Sequence, residues 1–144
     1  MTVKIYLAHP YSHRREAQQV QLALEAEGYL VVNPFNHTAE DIYLTQQWET
    51  SFTPALNRRI ASKDFEKIES CNLVVAYLPV KSIGTPMEIV YSYHAKKPVI
   101  VLTNDDHYYR DHPWLNCFAT VATSLSDLVH HVKQLSTGDV NQSW

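Results

Sequence analysis

Short apolar runs alternate with amphipathic stretches along the 144 residues of the chain. Runs rich in β-branched and aromatic residues predict strands, whereas apolar residues that recur every three or four positions predict helices. The predicted strands are residues 3–7, 29–32, 73–78, 99–102 and 118–121. The predicted helices are residues 13–27, 55–70, 85–96 and 124–135, the first of them capped by Ser12 or a neighbour and ended by Gly28.

The remaining stretches lack a clean period. Residues 35–54 mix aromatic and polar side chains, which predicts a long loop with room for one helical turn. Residues 103–113 predict a second loop, and residues 136–144 show no packing pattern. We therefore expect one domain over residues 1–135 and a C-terminal tail over residues 136–144.

Strands that alternate with helices predict parallel pairing through right-handed crossovers, and hence an open α/β sandwich. In such sheets, ligands bind beyond the carboxyl ends of the strands. This rule brings four loops to one rim of the sheet. They are residues 8–15, the segment that begins at residue 33, residues 79–88 and residues 103–116.

Composition narrows the range of functions. The chain is 45% hydrophobic and 19% charged, as is usual for a globular protein, and its net charge of −3 disfavours binding to a nucleic acid polymer. Two cysteines, Cys71 and Cys117, make no disulfide framework. The sequence shows no secretory signal, and its apolar runs are too short to span a membrane. We expect a cytoplasmic protein.

One short segment, Ser82-x-Gly84-Thr85-x-x-Glu88, has the features of a small-ligand loop. Glycine allows a ligand to approach the backbone closely, and the start of a helix offers N–H groups to an anion. Glu88 has two interpretations. It is either an acid that suits the positive end of the helix dipole or a catalytic nucleophile.

The histidines of the predicted rim do not indicate a metal site. His9, His13, His107 and His112 are spread over two loops without the spacing of a zinc motif. We expect neither a metal nor another cofactor.

Four stretches of the chain resemble the nucleoside 2-deoxyribosyltransferase superfamily, which includes the 2'-deoxynucleoside 5'-monophosphate N-hydrolases. They are KIYLAHPYSHRRE, SKDFEKIESCNLVVAYLP, SIGTPMEIVYSYHAKKPVIVL and, more weakly, WLNCFA. The third stretch is the most specific. The resemblance implies a flavodoxin-like three-layer sandwich with a five-stranded parallel sheet. It also implies a homo-oligomer, a dimer or larger, whose sites are completed across subunits.

The resemblance further implies a retaining glycosyl transfer in which the glutamate that matches Glu88 attacks the anomeric carbon. Asp64 matches a second acid that holds the sugar and assists at the base, although its residue type also fits a solvated helix position. Tyr6 matches an aromatic residue near the nucleophile, and packing within a strand is the other explanation for it.

Ser82 stands where transferases that act on free nucleosides carry an aspartate for the sugar 5'-hydroxyl. A hydroxyl can donate to a 5'-phosphate, whereas a carboxylate would repel it. The monophosphate hydrolases also have a glycine-rich phosphate loop after the first strand, and this chain has no glycine there. The predicted substrate-binding residues are Ser82, Gly84, His9, Ser12, Arg14, Arg15 and, from a weak match to a residue of a neighbouring subunit, Asn116.

These observations favour an enzyme that releases the base from a nucleoside 5'-monophosphate. A transferase that exchanges bases between deoxynucleosides is the alternative, because water and a second base compete for the same sugar ester. Two further alternatives are a non-catalytic nucleotide-binding module and an enzyme that cleaves NAD. The lack of an obvious site for the adenosine half of NAD disfavours NAD cleavage.

Overall fold

The computed structural model describes residues 2–35, 38–48, 52–104 and 107–137. Five parallel strands form one sheet in the order β2-β1-β3-β4-β5. The strands are β1 Lys4–Ala8, β2 Leu30–Val32, β3 Leu73–Tyr77, β4 Val99–Leu102 and β5 Thr120–Ala122. The order reverses at β1, and Tyr6 lies opposite Val32 on one side and Val74 on the other. The predicted parallel α/β sandwich is therefore confirmed.

Helices cover both faces of the sheet, as crossover connections require. They are α1 Arg14–Ala26, α2 Ala39–Trp48, α3 Pro54–Ser70, α4 Gly84–His94, α5 His107–Arg110, α6 Pro113–Phe118 and α7 Leu125–Ser136. A short 3₁₀ turn, Tyr11–His13, precedes α1. Helices α1 and α7 bury apolar residues against one face of the sheet, and α3, α4 and α6 bury theirs against the other.

The alternation of side chains along β1 explains this division. Ile5 and Leu7 join the core on the side of α1 and α7, whereas Tyr6 and Ala8 point to the side of α3 and α4. Tyr6 is fully buried, so its hydroxyl lies between the sheet and the helices α3 and α4. This placement follows from register alone, because a slip of one residue would move Tyr6 to the other face.

The prediction of a loop over residues 35–54 was wrong, because the segment contains the ten-residue helix α2. A capping box begins that helix. The Thr38 amide donates to Asp41 Oδ2, and the Asp41 amide donates to Thr38 Oγ1, both at 3.0 Å. The Thr-x-x-Asp pattern was the available signal, but a mixed aromatic and polar sequence obscured the helical period.

Three smaller predictions also require correction. The predicted strand at residues 118–121 begins two residues later, at Thr120, because Phe118 still belongs to α6. Helix α6 was not predicted. It begins at Pro113, and the ring of His112 accepts the Trp114 amide at its start. No side chain caps α1, since Ser12 Oγ instead hydrogen-bonds to His13 Nδ1 at 2.9 Å.

Helix α7 confirms the predicted helix at residues 124–135, with Ser124 as its cap. The division of the chain at residue 135 stays a prediction, and residues 138–144 lie outside the described part. Within the described ranges, no helix is both long and apolar enough to cross a membrane.

Candidate active site

A cavity of about 580 Å³ opens at the carboxyl ends of β1, β2 and β3. Its lining includes five of the predicted site residues, namely His9, Asp64, Ser82, Gly84 and Glu88. They come from the loop after β1, from α3, and from the loop before α4 together with its first turns. The sheet thus brings together residues that are up to 79 positions apart in sequence. This is the rim at which parallel sheets usually bind ligands.

Glu88 is held by a hydrogen bond from the strand beneath it. The Tyr6 hydroxyl donates to Glu88 Oε2 at 2.5 Å. Burial raises the pKa of Tyr6 well above its ordinary value, and the neighbouring carboxyls act in the same direction. The phenol therefore keeps its proton and acts as a donor. Short hydrogen bonds of this kind to a carboxylate are among the stronger ones in proteins.

Helix geometry fixes the position of Glu88 along α4. The residue lies one turn inside the helix, and Ser92 Oγ donates to its backbone carbonyl at 2.6 Å. The following residue, Ile89, is buried against the sheet and anchors this turn. Glu88 is therefore more than an exposed acid that suits a helix N-terminus, because its carboxyl points back onto β1.

The pKa of Glu88 is raised to about 8, chiefly because its carboxyl is buried and secondly because Asp64 lies nearby. The hydrogen bond from Tyr6 acts in the opposite direction. The pKa of Asp64 is raised to about 7, again chiefly by burial; the cation of Lys67 lowers it and the charge of Asp41 raises it. Two buried carboxyls that repel each other favour a state in which one of them keeps a proton.

Not all of the predicted binding residues reach this cavity. Ser12 and Arg15 are exposed on the start of α1 and do not line the cavity. Arg14 lies over the ring of Tyr11, at 4.2 Å from its centroid, and Tyr11 lines the cavity. Asn116 donates to the carbonyls of Arg110 and His112, away from the cavity. The predicted roles of these four residues remain predictions.

His9 occupies a buried position beside the loop after β2. Its Nε2 lies 3.1 Å from Asn33 Oδ1, and its Nδ1 lies 3.0 Å from the Pro10 carbonyl. Asn33 also accepts the Phe35 amide, so its side chain ties the two loops together. Burial lowers the pKa of His9, which favours the neutral ring in this wall of the cavity.

An aromatic wall that the sequence did not predict closes one side of the cavity. We use this term for Tyr11, Phe35, Trp48 and Phe52. Trp48 is at its centre, stacked on Tyr11 at 5.6 Å and edge-on to both phenylalanines at 5.3–5.5 Å. Flat apolar rings suit a planar base. The wall was not predicted because Trp48 belongs to α2, a helix in the segment for which the sequence predicted a loop.

Thr85 also lies in the cavity and was not among the predicted binding residues. It lines the cavity in the first turn of α4 and is 1% exposed. Its hydroxyl has no hydrogen-bond partner among the described residues. Because an unpaired buried hydroxyl is costly, this group suits a contact with a bound ligand. Its presence in the Ser82–Glu88 segment was the available signal.

Within the described ranges, no cluster of three or more His, Cys, Asp or Glu side chains has the geometry of a metal site.

The raised pKa values predict how stability depends on pH. Between the ordinary carboxyl pKa and the raised value, the folded protein binds more protons than the unfolded chain, so stability falls as pH rises through that window. Glu88→Gln and Asp64→Asn remove this penalty. We expect each variant to gain melting temperature over the wild type at about pH 8, and to gain less at about pH 5. Thermal melts at both pH values measure the difference.

Glu25→Gln, on the exposed side of α1, is the matched control and should give similar changes at both pH values. A gain for Glu88→Gln that is equal at the two pH values would contradict the buried-carboxyl explanation.

Comparison with known proteins places this chain in a family. The family model for nucleoside 2-deoxyribosyltransferase matches residues 5–138. A relative from Thermofilum pendens, named "Putative 2'-deoxynucleoside 5'-phosphate N-hydrolase 1", is 33% identical over 104 residues, which cover 69% of this chain and 67% of the relative.

Two solved structures show the same fold. A 2-deoxyribosyltransferase from Bacillus psychrosaccharolyticus has a TM-score of 0.68 at 16% identity, over 88% of this chain and 90% of its own. The CMP N-glycosidase BcmB of Clostridium botulinum has a TM-score of 0.53 at 19% identity, over 90% and 98%. Three findings lead to the same family. The fold is the same, the family model matches nearly the whole described chain, and the curated relative is 33% identical. The chain belongs to the nucleoside 2-deoxyribosyltransferase family and is an enzyme of that superfamily of N-glycosidases and transferases.

Proposed function

We propose that this enzyme cleaves the N-glycosidic bond of a 2'-deoxynucleoside 5'-monophosphate and releases the free base, with Glu88 as nucleophile. The observation that carries the proposal is the position of Glu88. Its carboxyl receives the Tyr6 hydroxyl and lies with Asp64 in a cavity large enough for a nucleotide. Paired carboxyls in different environments are the usual machinery of glycosidic cleavage.

In the first step, a Glu88 oxygen attacks C1' of the sugar, and the bonding pair of the C1'–N bond leaves with the base. Asp64 gives its proton to the departing base, so the step ends with a neutral base, a sugar ester on Glu88 and an ionised Asp64. Burial raises the pKa of Asp64 and so favours the protonated form that this step requires, although the pKa of Glu88 without substrate is the higher of the two. The positive charge that develops at C1' stabilises the ionised form of Glu88, which offsets the free-energy cost of burying that ionised carboxylate.

In the second step, water attacks C1' and breaks the ester. Asp64 accepts a proton from this water, and the pair returns to its starting state with Glu88 ionised. The hydrogen bond from Tyr6 orients the Glu88 carboxyl and stabilises its negative charge when the ester breaks. The aromatic wall offers a surface on which the base can stack before it leaves.

The preference for a 5'-phosphate is supported by the start of α4 and by the name of the curated relative. Ser82, Gly84 and Thr85 line the cavity there, and the two hydroxyls add to the N–H groups of the first turn. Among the described residues that line the cavity, the carboxylates are Asp64 and Glu88. A carboxylate at position 82 would add a further negative charge where a phosphate would lie.

We expect Glu88→Ala to abolish base release, and Glu88→Gln to lower it at least a thousandfold, because an amide is a poor nucleophile for C1'. Circular dichroism should show an intact fold. Chromatography of the free base after incubation with deoxynucleoside monophosphates measures the rate. The exposed Glu66→Gln, on α3, is the control and should keep the wild-type rate. Base release by Glu88→Ala at a rate near that of wild type would remove Glu88 from its role.

Ser82 tests the substrate class. A hydrogen bond to a charged group contributes about 1.5–3 kcal/mol, so deoxynucleoside 5'-monophosphates should exceed the matching nucleosides at least roughly tenfold in kcat/KM. Ser82→Asp should reverse this order, because its carboxylate repels phosphate and can accept a 5'-hydroxyl. Competing substrates assayed with and without an added second base measure both properties. Preference for free nucleosides, with faster transfer to the added base than to water, would establish the transferase alternative instead.

We expect the enzyme to form at least a dimer. The face of α4 with Val90, Tyr91 and Tyr93 is rich in apolar and aromatic residues and is one candidate for the interface, but these side chains are partly covered within the chain, since Tyr91 stacks on Phe65 and Tyr93 packs edge-on against Phe118. A more exposed apolar surface lies at the start of α4, where Ile83 and Met87 are 81% and 67% exposed beside the cavity. Such surface suits an interface that closes the site. Light scattering at micromolar concentration should show more than one subunit, and a fully active monomer would contradict the expectation.

A further inference from the structure

Ion pairs join α2 to α3 along one side of the active site. Arg59, Lys63 and Lys67 recur every four residues on α3 and share one face of that helix. Glu40 and Asp41 face them from the first turn of α2. Glu40 pairs with Arg59 and with Lys63, whose Nζ lies 3.1 Å from Glu40 Oε2, and Asp41 pairs with Lys67.

These pairs differ in burial. The Glu40 side chain is 27% exposed and its two partners lie near solvent, whereas Asp41 is 1% exposed and Lys67 is 15% exposed. Burial of two charges costs free energy that their attraction does not reliably recover, so a buried pair contributes little net stability. The buried position of this pair is therefore better explained by the contacts that it makes beside the active site than by net stability.

Asp41 makes several contacts at the start of α2. One carboxyl oxygen pairs with Lys67, and the other accepts the Thr38 amide at 3.0 Å. Its backbone carbonyl accepts the Thr45 hydroxyl at 2.7 Å, and the same hydroxyl donates to the Phe35 carbonyl. The Asp41–Lys67 pair thus fixes the helix that carries Trp48, the centre of the aromatic wall.

The same pair lies close to the proposed acid. Lys67 follows Asp64 by three residues, so both side chains lie on one side of α3. The ionisable groups around Asp64 are Tyr6 from β1, Glu88 from α4, Asp41 from α2 and Lys67 from α3, with His9 in the wall of the same cavity. The cation of Lys67 lowers the pKa of Asp64, and the anion of Asp41 raises it. The two partners act in opposite directions on one carboxyl.

We propose that Asp41 and Lys67 are positioning residues of the active site. The pair holds α2 and its aromatic wall against α3, and Asp41 offsets the charge of Lys67 so that Asp64 keeps the proton that the departing base requires. This inference rests on the proposed function for the role of that proton, but the effect on Asp64 is measurable without turnover.

The test follows the Asp64 carboxyl by carbon-13 NMR in protein labelled at the aspartate side-chain carbons, with Asp64→Asn to assign the signal. Asp41→Asn should lower the Asp64 titration midpoint by about one pH unit, and Lys67→Met should raise it by about one unit. The double variant removes both charges, leaves no unpaired buried charge and should return the midpoint to within roughly half a unit of wild type. Glu40→Gln, which removes the exposed pairs between the same helices, is the matched control and should not move the midpoint.

Base release in the same variants completes the test, because the alkaline limb of the rate against pH should move with the Asp64 midpoint. Single variants that both shift the midpoint in one direction, or a Glu40→Gln shift as large as theirs, would overturn the inference. A merely structural role would lower stability in every variant without opposite shifts. If the midpoints move as expected and wild type releases no base, the inference on Asp64 stands and the proposed function fails.

Discussion

The cost of holding two carboxyls close together in a poorly solvated cavity governs this structure. Glu88 and Asp64 are held by helices on the same side of the sheet, and burial raises the pKa of each. The Tyr6 hydroxyl, a neutral donor, contacts Glu88 from beneath and also lies close enough to Asp64 to lower the pKa of that carboxyl. The fold accepts an unfavourable arrangement of charge at the proposed active site, as active sites commonly do.

The rest of the chain supports that arrangement from several directions. The register of β1 points Tyr6 into the layer of α3 and α4, and the buried turn of α4 around Ile89 fixes Glu88 above it. Helix α2 supplies Trp48 to the cavity wall and Asp41 to the surroundings of Asp64. The ionic contacts of α2 and α3 therefore connect the shape of the cavity with the charge inside it.

Sequence predicts the sheet well because its strands are short, apolar and separated by regular helices. The short apolar runs of β1 and β3 require no knowledge of distant contacts. Helix α2 was missed because its apolar residues do not form a clean stripe, and a capping box and tertiary ion pairs stabilise it instead. The Ser82–Glu88 segment made Glu88 a candidate nucleophile, and a family resemblance added Asp64 and Tyr6 as site candidates. The residues alone left competing explanations for the three, namely an acid that suits the helix dipole, a solvated helix acid and packing within a strand, since only the fold brings these side chains together.

Capture of the sugar on the enzyme decides whether Glu88 is the nucleophile. A 2'-fluoro-arabinonucleoside 5'-monophosphate is suited to this, because fluorine beside C1' destabilises the oxocarbenium-like transition state and slows breakdown of the ester. Mass spectrometry of the intact protein should show the added sugar phosphate, and peptide fragmentation should place it on Glu88 in the segment that begins α4. An adduct on another residue, or base release with inverted configuration at C1' and no adduct, would contradict a covalent role for Glu88.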